Sequence, residues 1–307
     1  MKPAKILALL LSFAMLLSFA ACAKPNETPA PADTSVDVTD MTKRQVKLDA
    51  PATKVVALDA ADCEILYALG AGDTLVGRGE YCDYPETVAD ISSVQSGSET
   101  NIEQIIALEP QVVIMSTMDQ TTEQEEALEN AGIRVAVTDA QTISDVYEAI
   151  RLIGALVGKN DEAGTLVLNM GKTFADIQDK VDSDGEKTVY FEVSPLQYGL
   201  WTAGSGTFMD ELATLLGVKN AFADVEGWAE ISEEQVLERD PDYIVTIAMY
   251  YGEGQTPVEE IMSRTGWENL KAIKSGDVFN ADTNQVARPG PRLTDGAQAL
   301  YDFFYGE

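Results

Sequence analysis

Aromatic and polar side chains gather at the points where the predicted strands end. In the first half of the chain these residues are Tyr81, Tyr84, Gln95, Thr117 and Met118. In the second half they are Tyr198, Trp201, Trp228, Met249, Tyr250 and Tyr251. Ligands on open parallel sheets bind in the crevice at the carboxyl ends of the strands. A crevice with many rings and few charges suits a large, flat, partly apolar ligand. The alternative is that some of these rings pack in the core.

Two arginines stand out in an acid-rich chain. Arg288 and Arg292 enclose the segment Arg288-Pro-Gly-Pro-Arg292, which precedes the last predicted helix. A guanidinium is the natural donor to a carboxylate or to a chelated anion, so both arginines are candidate ligand-binding residues. The alternative is that they pair with nearby acids and hold the C-terminal helix in place.

Asp59 and Asp62 follow the first predicted strand, where two carboxyl groups could act as the acid and base of a hydrolase. Aspartate is also a preferred helix N-cap, and we favour capping or simple solvation. The chain contains no histidine, which removes the usual general base and the commonest transition-metal ligand. We therefore expect no catalytic residues, no metal site and no cofactor, and we predict that the protein is not an enzyme.

Two cysteines lie within the predicted globular part of the chain, just past the ends of consecutive predicted strands. Cys63 and Cys82 are too few for a zinc site, and they do not form a Cys-x-x-Cys pair. Outside the cytoplasm a disulfide between them is possible, and two buried free thiols are the alternative.

Short apolar strands alternate with amphipathic helices in both halves of the chain. Residues 54–58, 112–115, 188–193 and 243–247 are examples of the strands. This alternation predicts an α/β fold with parallel sheets and flanking helices. Between the halves, apolar residues recur at steps of three and four, which predicts one long helix over residues 160–182. Gly164 and Gly171 weaken that helix.

One local pattern occurs twice. Residues 101–114 and 232–245 align without a gap, and each segment consists of a capped helix, an acid-Pro pair and a buried strand. Each helix has Gln at its third position, as in a capping box. The repetition predicts two similar lobes. Glu103 and Glu234 occupy the second position of the two helices, where the helix dipole alone favours an acid. They could also dock onto arginines of a partner.

The N-terminal residues have the pattern of an export signal. Lys2 and Lys5 precede an apolar stretch over residues 6–19, and two alanines stand before Cys22. We predict a lipoprotein signal over residues 1–22 with lipidation at Cys22, an ordinary signal peptide being the alternative. Residues 23–40 are rich in Pro, Thr and acids and predict a disordered tether. A net charge of −30 excludes nucleic acid as a partner.

Three segments resemble the iron-chelate and cobalamin class of ABC-importer substrate-binding proteins, the class III periplasmic binding proteins. They are residues 79–86 (GEYCDYPE), residues 101–114 and residues 288–292 (RPGPR). Residues 201–208 (WTAGSGTF) are similar to a second-lobe segment of that class. The resemblance implies two Rossmann-like lobes joined by a single helix. We therefore expect an N-terminal lobe over residues 41–159, the connecting helix over 160–182 and a C-terminal lobe over 183–307.

The resemblance also implies a function. The expected protein is an extracytoplasmic lipoprotein, anchored to the outer face of the cell membrane, that captures a ferric siderophore or a cobalamin-like corrinoid between its lobes. Its expected partners are an ABC permease with its ATPase, and the expected state is a monomer. In this family a glutamate on each lobe docks onto permease arginines, and Glu103 and Glu234 fall on those positions. A surface hydrolase using Asp59 and Asp62, or a structural or adhesive surface protein, remains the alternative.

Overall fold

The computed structural model describes residues 34–97, 99–117, 121–183 and 185–306. Cys22, the predicted signal over residues 1–22 and most of the predicted tether lie outside the described residues, as does Met118. Residues from Ser35 onward form one compact unit. Within the described residues, no helix combines the length and the apolarity that crossing a membrane requires.

The compact unit begins earlier than the sequence suggested. Val36–Thr39 (β1) and Gln45–Leu48 (β2) pair as an antiparallel hairpin. The prediction of a disordered tether over residues 23–40 is therefore wrong for Val36–Thr39, which form a strand. The reason is that Val36 and Val46 alternate with polar neighbours and bury their side chains in the core of the unit.

The N-terminal lobe is built on a fully parallel sheet. Its strands are Val55–Ala57 (β3), Leu75–Gly79 (β4), Ser93–Val94 (β5), Val112–Ser116 (β6) and Arg134–Thr138 (β7). They lie in the order β5-β4-β3-β6-β7. The helices of this lobe are Ala60–Ala68 (α1), Ile102–Ala107 (α2), Thr122–Asn130 (α3) and Ile143–Leu156 (α4). The buried apolar strands and the crossover helices confirm the α/β prediction for this lobe.

A single long helix, Asn160–Gln178 (α5), follows the N-terminal lobe. Its buried residues are Ala163, Val167, Met170, Phe174 and Ile177, which form the predicted stripe. The helix is continuous through Gly164 and Gly171. It ends four residues before the predicted boundary at 182, and Asp179 is its C-cap.

The C-terminal lobe is built on a mixed sheet. Its strands are Thr188–Ser194 (β8), Leu200–Ala203 (β9), Lys219–Asn220 (β10), Trp228–Ile231 (β11), Tyr243–Thr246 (β12) and Val278–Asn280 (β13). The order is β11-β9-β8-β12-β13, with β10 also paired to β8. The prediction of a parallel sheet is wrong for β9 and β11, which pair antiparallel. The connection from β8 to β9 is too short for the crossover that parallel strands need.

The helices of the C-terminal lobe are Phe208–Leu215 (α6), Glu233–Arg239 (α7), Pro257–Met262 (α8), Lys271–Ser275 (α9), Thr283–Val286 (α10) and Leu293–Tyr305 (α11). The last of these, α11, packs against α5. The repeated unit is present in both lobes as α2–β6 and α7–β12. Its capping differs, because Ser232 and Gln235 form a full capping box whereas the Gln104 amide donates to the Ser93 carbonyl instead.

Candidate functional site

Most of the predicted cleft residues are exposed. Among the described residues, the large hydrophobic side chains with high exposure are Tyr81, Tyr84, Ile106, Leu168, Tyr198, Trp201, Leu237, Met249, Tyr250, Tyr251 and Met262. Seven of these eleven belong to the predicted set of cleft residues. Core packing therefore does not explain them. Tyr251 is the most open, with 85% of its surface exposed.

The segment from Ala248 to Tyr251, at the carboxyl end of β12, separates two cavities. One has a volume of ≈ 350 Å³ and is lined by Asp83 of the N-terminal lobe together with Asn280 and neighbouring residues of the C-terminal lobe. The other, of ≈ 330 Å³, lies within the C-terminal lobe and includes Pro195 and Pro257. The rings of Tyr250 and Tyr251 line both cavities. This segment can therefore contact a ligand that enters either space.

The lining of these two cavities is acidic. Its charged residues are Asp83, Asp282, Glu192, Glu253 and Glu260. No lysine or arginine of the described chain lines either cavity. Behind the lining, the buried guanidinium of Arg264 donates to Glu192 at 2.6 and 2.9 Å and to Glu260 at 2.6 Å. Within the described chain Glu253 forms no ion pair, and Asp282 interacts with the Arg292 guanidinium through its charge without an ion-pair contact. The excess of carboxylates in the lining presents a negative field to a ligand.

Arg288 and Arg292 are both engaged by carboxylates. Arg288 Nη1 donates to Glu64 Oε1 at 3.0 Å and to Asp83 Oδ1 at 2.5 Å. Arg292 donates through Nε to Glu64 Oε2 at 2.9 Å and through Nη2 to Glu64 Oε1 at 2.5 Å. The hydrogen bonds to Glu64 raise the pKa of Arg292. Of the two sequence-based interpretations, the geometry fits pairing with nearby acids.

Sequence reasoning missed Glu64, whose side chain is only 2% exposed. Its position between the buried residues Cys63 and Ile65 was the available signal, because an acid on a buried helix face needs a cationic partner. Tyr84 belongs to the same cluster, since its ring lies 4.1 Å from the Arg292 guanidinium. The cluster fastens the Arg288–Arg292 loop to α1 of the N-terminal lobe.

Trp228 contacts the N-terminal lobe directly. Its Nε1 donates to Gln141 Oε1 at 3.0 Å, and its ring lies 5.4 Å from that of Phe208. The backbone N–H of Phe208 in turn donates to the Gln141 carbonyl. Trp228 is therefore held where the lobes meet, and Gln141, which sequence reasoning missed, is its anchor.

The remaining polar cleft candidates lie at the carboxyl ends of their strands. Gln95 is exposed directly after β5. Thr117 follows β6, and its hydroxyl donates to Asp139 at 2.8 Å. Both lie at the sheet edge where the sequence placed them, so both remain candidates for ligand contact.

The Asp59–Asp62 pair has the geometry of a cap rather than of a catalytic centre. Asp59 accepts from the Ala61 N–H at 2.7 Å and caps α1, as we favoured from the sequence. Asp62 is buried, and burial, together with the charge of Asp59, raises the pKa of Asp62 well above its ordinary value. The Thr138 hydroxyl lies 3.2 Å from the Asp62 carboxyl group. The adjacent cavity has a volume of ≈ 30 Å³, which is room for about one water molecule and not for a substrate.

Cys63 and Cys82 are both buried, and their sulfur atoms lie 2.9 Å apart. Both thiols are free in this structure. The contact with Cys82, together with burial, raises the pKa of the Cys63 thiol well above its ordinary value. The fold therefore brings the two sulfurs together, as a disulfide would require, while keeping them away from solvent.

Glu103 and Glu234 are exposed on α2 and α7. In the described part of the chain neither carboxylate takes part in an ion pair. The Glu234 carboxylate instead accepts hydrogen bonds from its own backbone N–H and from the Ser232 side chain, which lower its pKa. The lack of an ion pair at both glutamates leaves the predicted docking role open.

A family model described as periplasmic binding protein matches residues 55–284. The chain belongs to the periplasmic binding protein family. A relative from Bacillus subtilis (strain 168), named as the ABC transporter substrate-binding lipoprotein YvrC, is 34% identical over 97% of this chain and 95% of its own length. The vitamin B12-binding protein of Salmonella typhi is 30% identical, covering 81% of this chain and 89% of its own.

Solved structures agree with the sequence relatives. A Staphylococcus epidermidis structure, titled as a possible iron-binding periplasmic solute-binding protein, superposes with a TM-score of 0.70 at 28% identity, covering 83% of this chain and 99% of that one. The membership and the two-lobed α/β fold predicted from the sequence are confirmed. This periplasmic binding protein thus has the architecture of a substrate-binding component of ABC importers.

Proposed function

We propose that this periplasmic binding protein captures a cobalamin-like corrinoid between its lobes and delivers it to an ABC permease. The observation that carries the choice of ligand is the pairing of Arg288 and Arg292 with Glu64 and Asp83. An anionic iron chelate needs free cations in its site, and these arginines are already neutralised. A corrinoid presents a wide, mostly apolar face and many neutral amides.

The exposed aromatic rings also favour a corrinoid as the ligand. Tyr81, Tyr84, Trp201, Tyr250 and Tyr251 offer flat apolar surface with polar edges, which suits a planar macrocycle. The vitamin B12-binding relative is 30% identical over 81% of this chain. Haem, with its propionate carboxylates, would meet the acidic residues Glu253 and Asp282 and is disfavoured for the same electrostatic reason as an anionic siderophore.

Delivery follows from the two exposed glutamates and the predicted anchor. Glu103 and Glu234 present one exposed carboxylate on each lobe, suited to basic groups of a permease. A lipid at Cys22 and a tether ending before β1 would hold the loaded protein near that permease and raise its effective concentration there. Binding a corrinoid between the lobes and delivering it to the permease require no chemical change of the ligand. The proposed role is therefore capture and release.

The direct test is a titration of the protein lacking residues 1–22 with cyanocobalamin, haem, an anionic ferric catecholate and a cationic ferric hydroxamate, followed by tryptophan fluorescence. We expect saturable quenching by cyanocobalamin that is reduced in Trp201→Phe. Tyr251→Ala should weaken binding about tenfold, which corresponds to about 1.4 kcal/mol, typical of a ring at an interface. Leu168→Ala on α5, which also removes an exposed side chain, is the matched control. Tight binding of the anionic catecholate with no response to cyanocobalamin would overturn the proposal.

A further inference from the structure

The loop of residues 80–85, which follows β4, carries two exposed tyrosines and one buried anchor. Tyr81 and Tyr84 are exposed, whereas Cys82 between them is buried. It is the only buried residue of this loop. The Cys82 sulfur lies 2.9 Å from the sulfur of Cys63 on α1. The position of the loop therefore depends strongly on what holds Cys82 in place.

Two adjacent ties join this loop to α1. The first is the contact between the sulfurs of Cys63 and Cys82. The second is the Arg288 guanidinium, whose Nη1 donates both to Glu64 and to Asp83, the residues that directly follow the two cysteines. A bond between the sulfurs would therefore also fix the spacing of the two carboxylates that receive Arg288 from the C-terminal lobe.

The same loop belongs to the candidate ligand site. Asp83 lines the cavity of ≈ 350 Å³ together with Tyr250 and Tyr251 of the C-terminal lobe. The backbone carbonyl of Tyr81 accepts from Arg288 Nη2 at 3.4 Å. A shift of this loop would therefore move one wall of the cavity and the contact between the lobes at the same time.

We propose that Cys63 and Cys82 are positioning residues of the ligand site, and that they act when their thiols are joined as a disulfide. The bridge holds Tyr81 and Asp83 in the arrangement that the ligand meets. Because the loop is ordered in advance, binding does not have to restrict its conformations, and the affinity is higher. This inference rests on the proposed function and deepens it.

The bridge forms by thiol–disulfide exchange with an oxidised protein disulfide donor outside the cytoplasm. One cysteine thiolate attacks the donor disulfide to give a mixed disulfide, and the second thiolate then displaces the donor. A sulfur–sulfur bond forms between Cys63 and Cys82, the bond of the donor breaks, and two electrons and two protons pass to the donor, which leaves as a dithiol. Because both sulfurs are buried in the folded protein, the exchange takes place while the chain folds.

The experiment compares the exported protein with its variant Cys63→Ala, Cys82→Ala. It measures free thiols after denaturation, hydrogen exchange of the backbone amides of residues 80–84, and affinity for cyanocobalamin. We expect no free thiol at these positions in the parent. In the variant, residues 80–84 should exchange faster, and cyanocobalamin should bind about tenfold more weakly.

A further substitution separates positioning from general stability. Tyr81→Ala should weaken binding in the bridged parent but have little further effect in the alanine variant, because the loop of that variant is no longer held in place. Tyr251→Ala, on the other lobe, is the matched control and should weaken binding by the same factor in both backgrounds. A loss of stability alone would leave the effects of both substitutions additive.

Two free thiols in the denatured parent, equal exchange rates, equal affinities or an additive effect of Tyr81→Ala would each overturn the inference. If the parent binds no cyanocobalamin, the proposed function fails, whereas the exchange rates still decide whether the bridge positions the loop. Should the alanine variant unfold, the parent refolded from urea in dithiothreitol supplies the unbridged form with an unchanged sequence.

Discussion

Replacement of Glu64 by glutamine should lower the stability of this protein substantially. The Glu64 side chain is 2% exposed, and those of Arg288 and Arg292 are 15% and 14% exposed. The substitution keeps the shape but removes the charge that both guanidiniums share. Breaking a buried ion pair from one side costs about 3–5 kcal/mol. Because Arg288 keeps Asp83 and both arginines retain some water contact, we expect the lower end, about 3 kcal/mol.

The measurement is urea unfolding, together with the thermal midpoint, for Glu64→Gln and the parent. A loss of about 3 kcal/mol corresponds to a midpoint lower by roughly 6–9 °C in a protein of this size. Glu64→Met with Arg292→Met should recover part of the loss, because it removes both charges. Asp37→Asn, which breaks the exposed pair with Lys47, is the control and should change stability by less than about 1 kcal/mol. A Glu64→Gln variant as stable as this control would refute the reasoning.

Three further changes test other parts of the fold. Gly164→Ala and Gly171→Ala should each stabilise α5 by about 1 kcal/mol in urea unfolding, because the added methyl groups meet no close contact; a loss would contradict the packing described. The pKa of Asp62 is raised in the folded state, so the stability that its neutral form supplies is present below pH 4 and is lost as the pH rises through the raised pKa. Asp62→Asn should therefore flatten the decline of unfolding free energy above pH 4, and an unchanged profile would contradict the effect of burial on the Asp62 carboxyl group. Because the sulfurs of the free thiols Cys63 and Cys82 lie 2.9 Å apart, we expect them to oxidise to a disulfide in exported protein. No free thiol should then be found after denaturation, and reduction should cost about 3 kcal/mol; alkylation of both thiols would disprove this expectation.

Local patterns predicted the connecting helix and the parallel strands. The apolar stripe of α5 recurs at the period of a helix, and β6 and β12 each follow a capped helix and a proline. These signals lie within a few residues of the elements that they describe. The hairpin of β8 and β9 lacked such a signal, because the direction of a short strand depends on the neighbour with which it pairs.

The predicted cleft residues also divide into those whose position followed from the sequence and those whose contacts did not. Tyr81, Tyr250 and Tyr251 could be placed from the sequence, since residues that follow parallel strands collect at one sheet edge and rings there are exposed. The pairing of Arg288 and Arg292 with acids could not be predicted from the sequence. Their partner Glu64 is more than 200 residues away in the chain, and only folding brings the three together.

By itself, the sequence determined the α/β class, the two lobes, the long helix between them and the matched glutamates, because each depends on periodicity and capping within one segment. Only the tertiary structure decided the mixed second sheet, the neutralised arginines, the anchoring of Trp228 by Gln141 and the contact between the two sulfurs. Each of these depends on which distant groups the fold brings into contact, and the free energy of such a contact is set by burial and partner geometry, which no local pattern records.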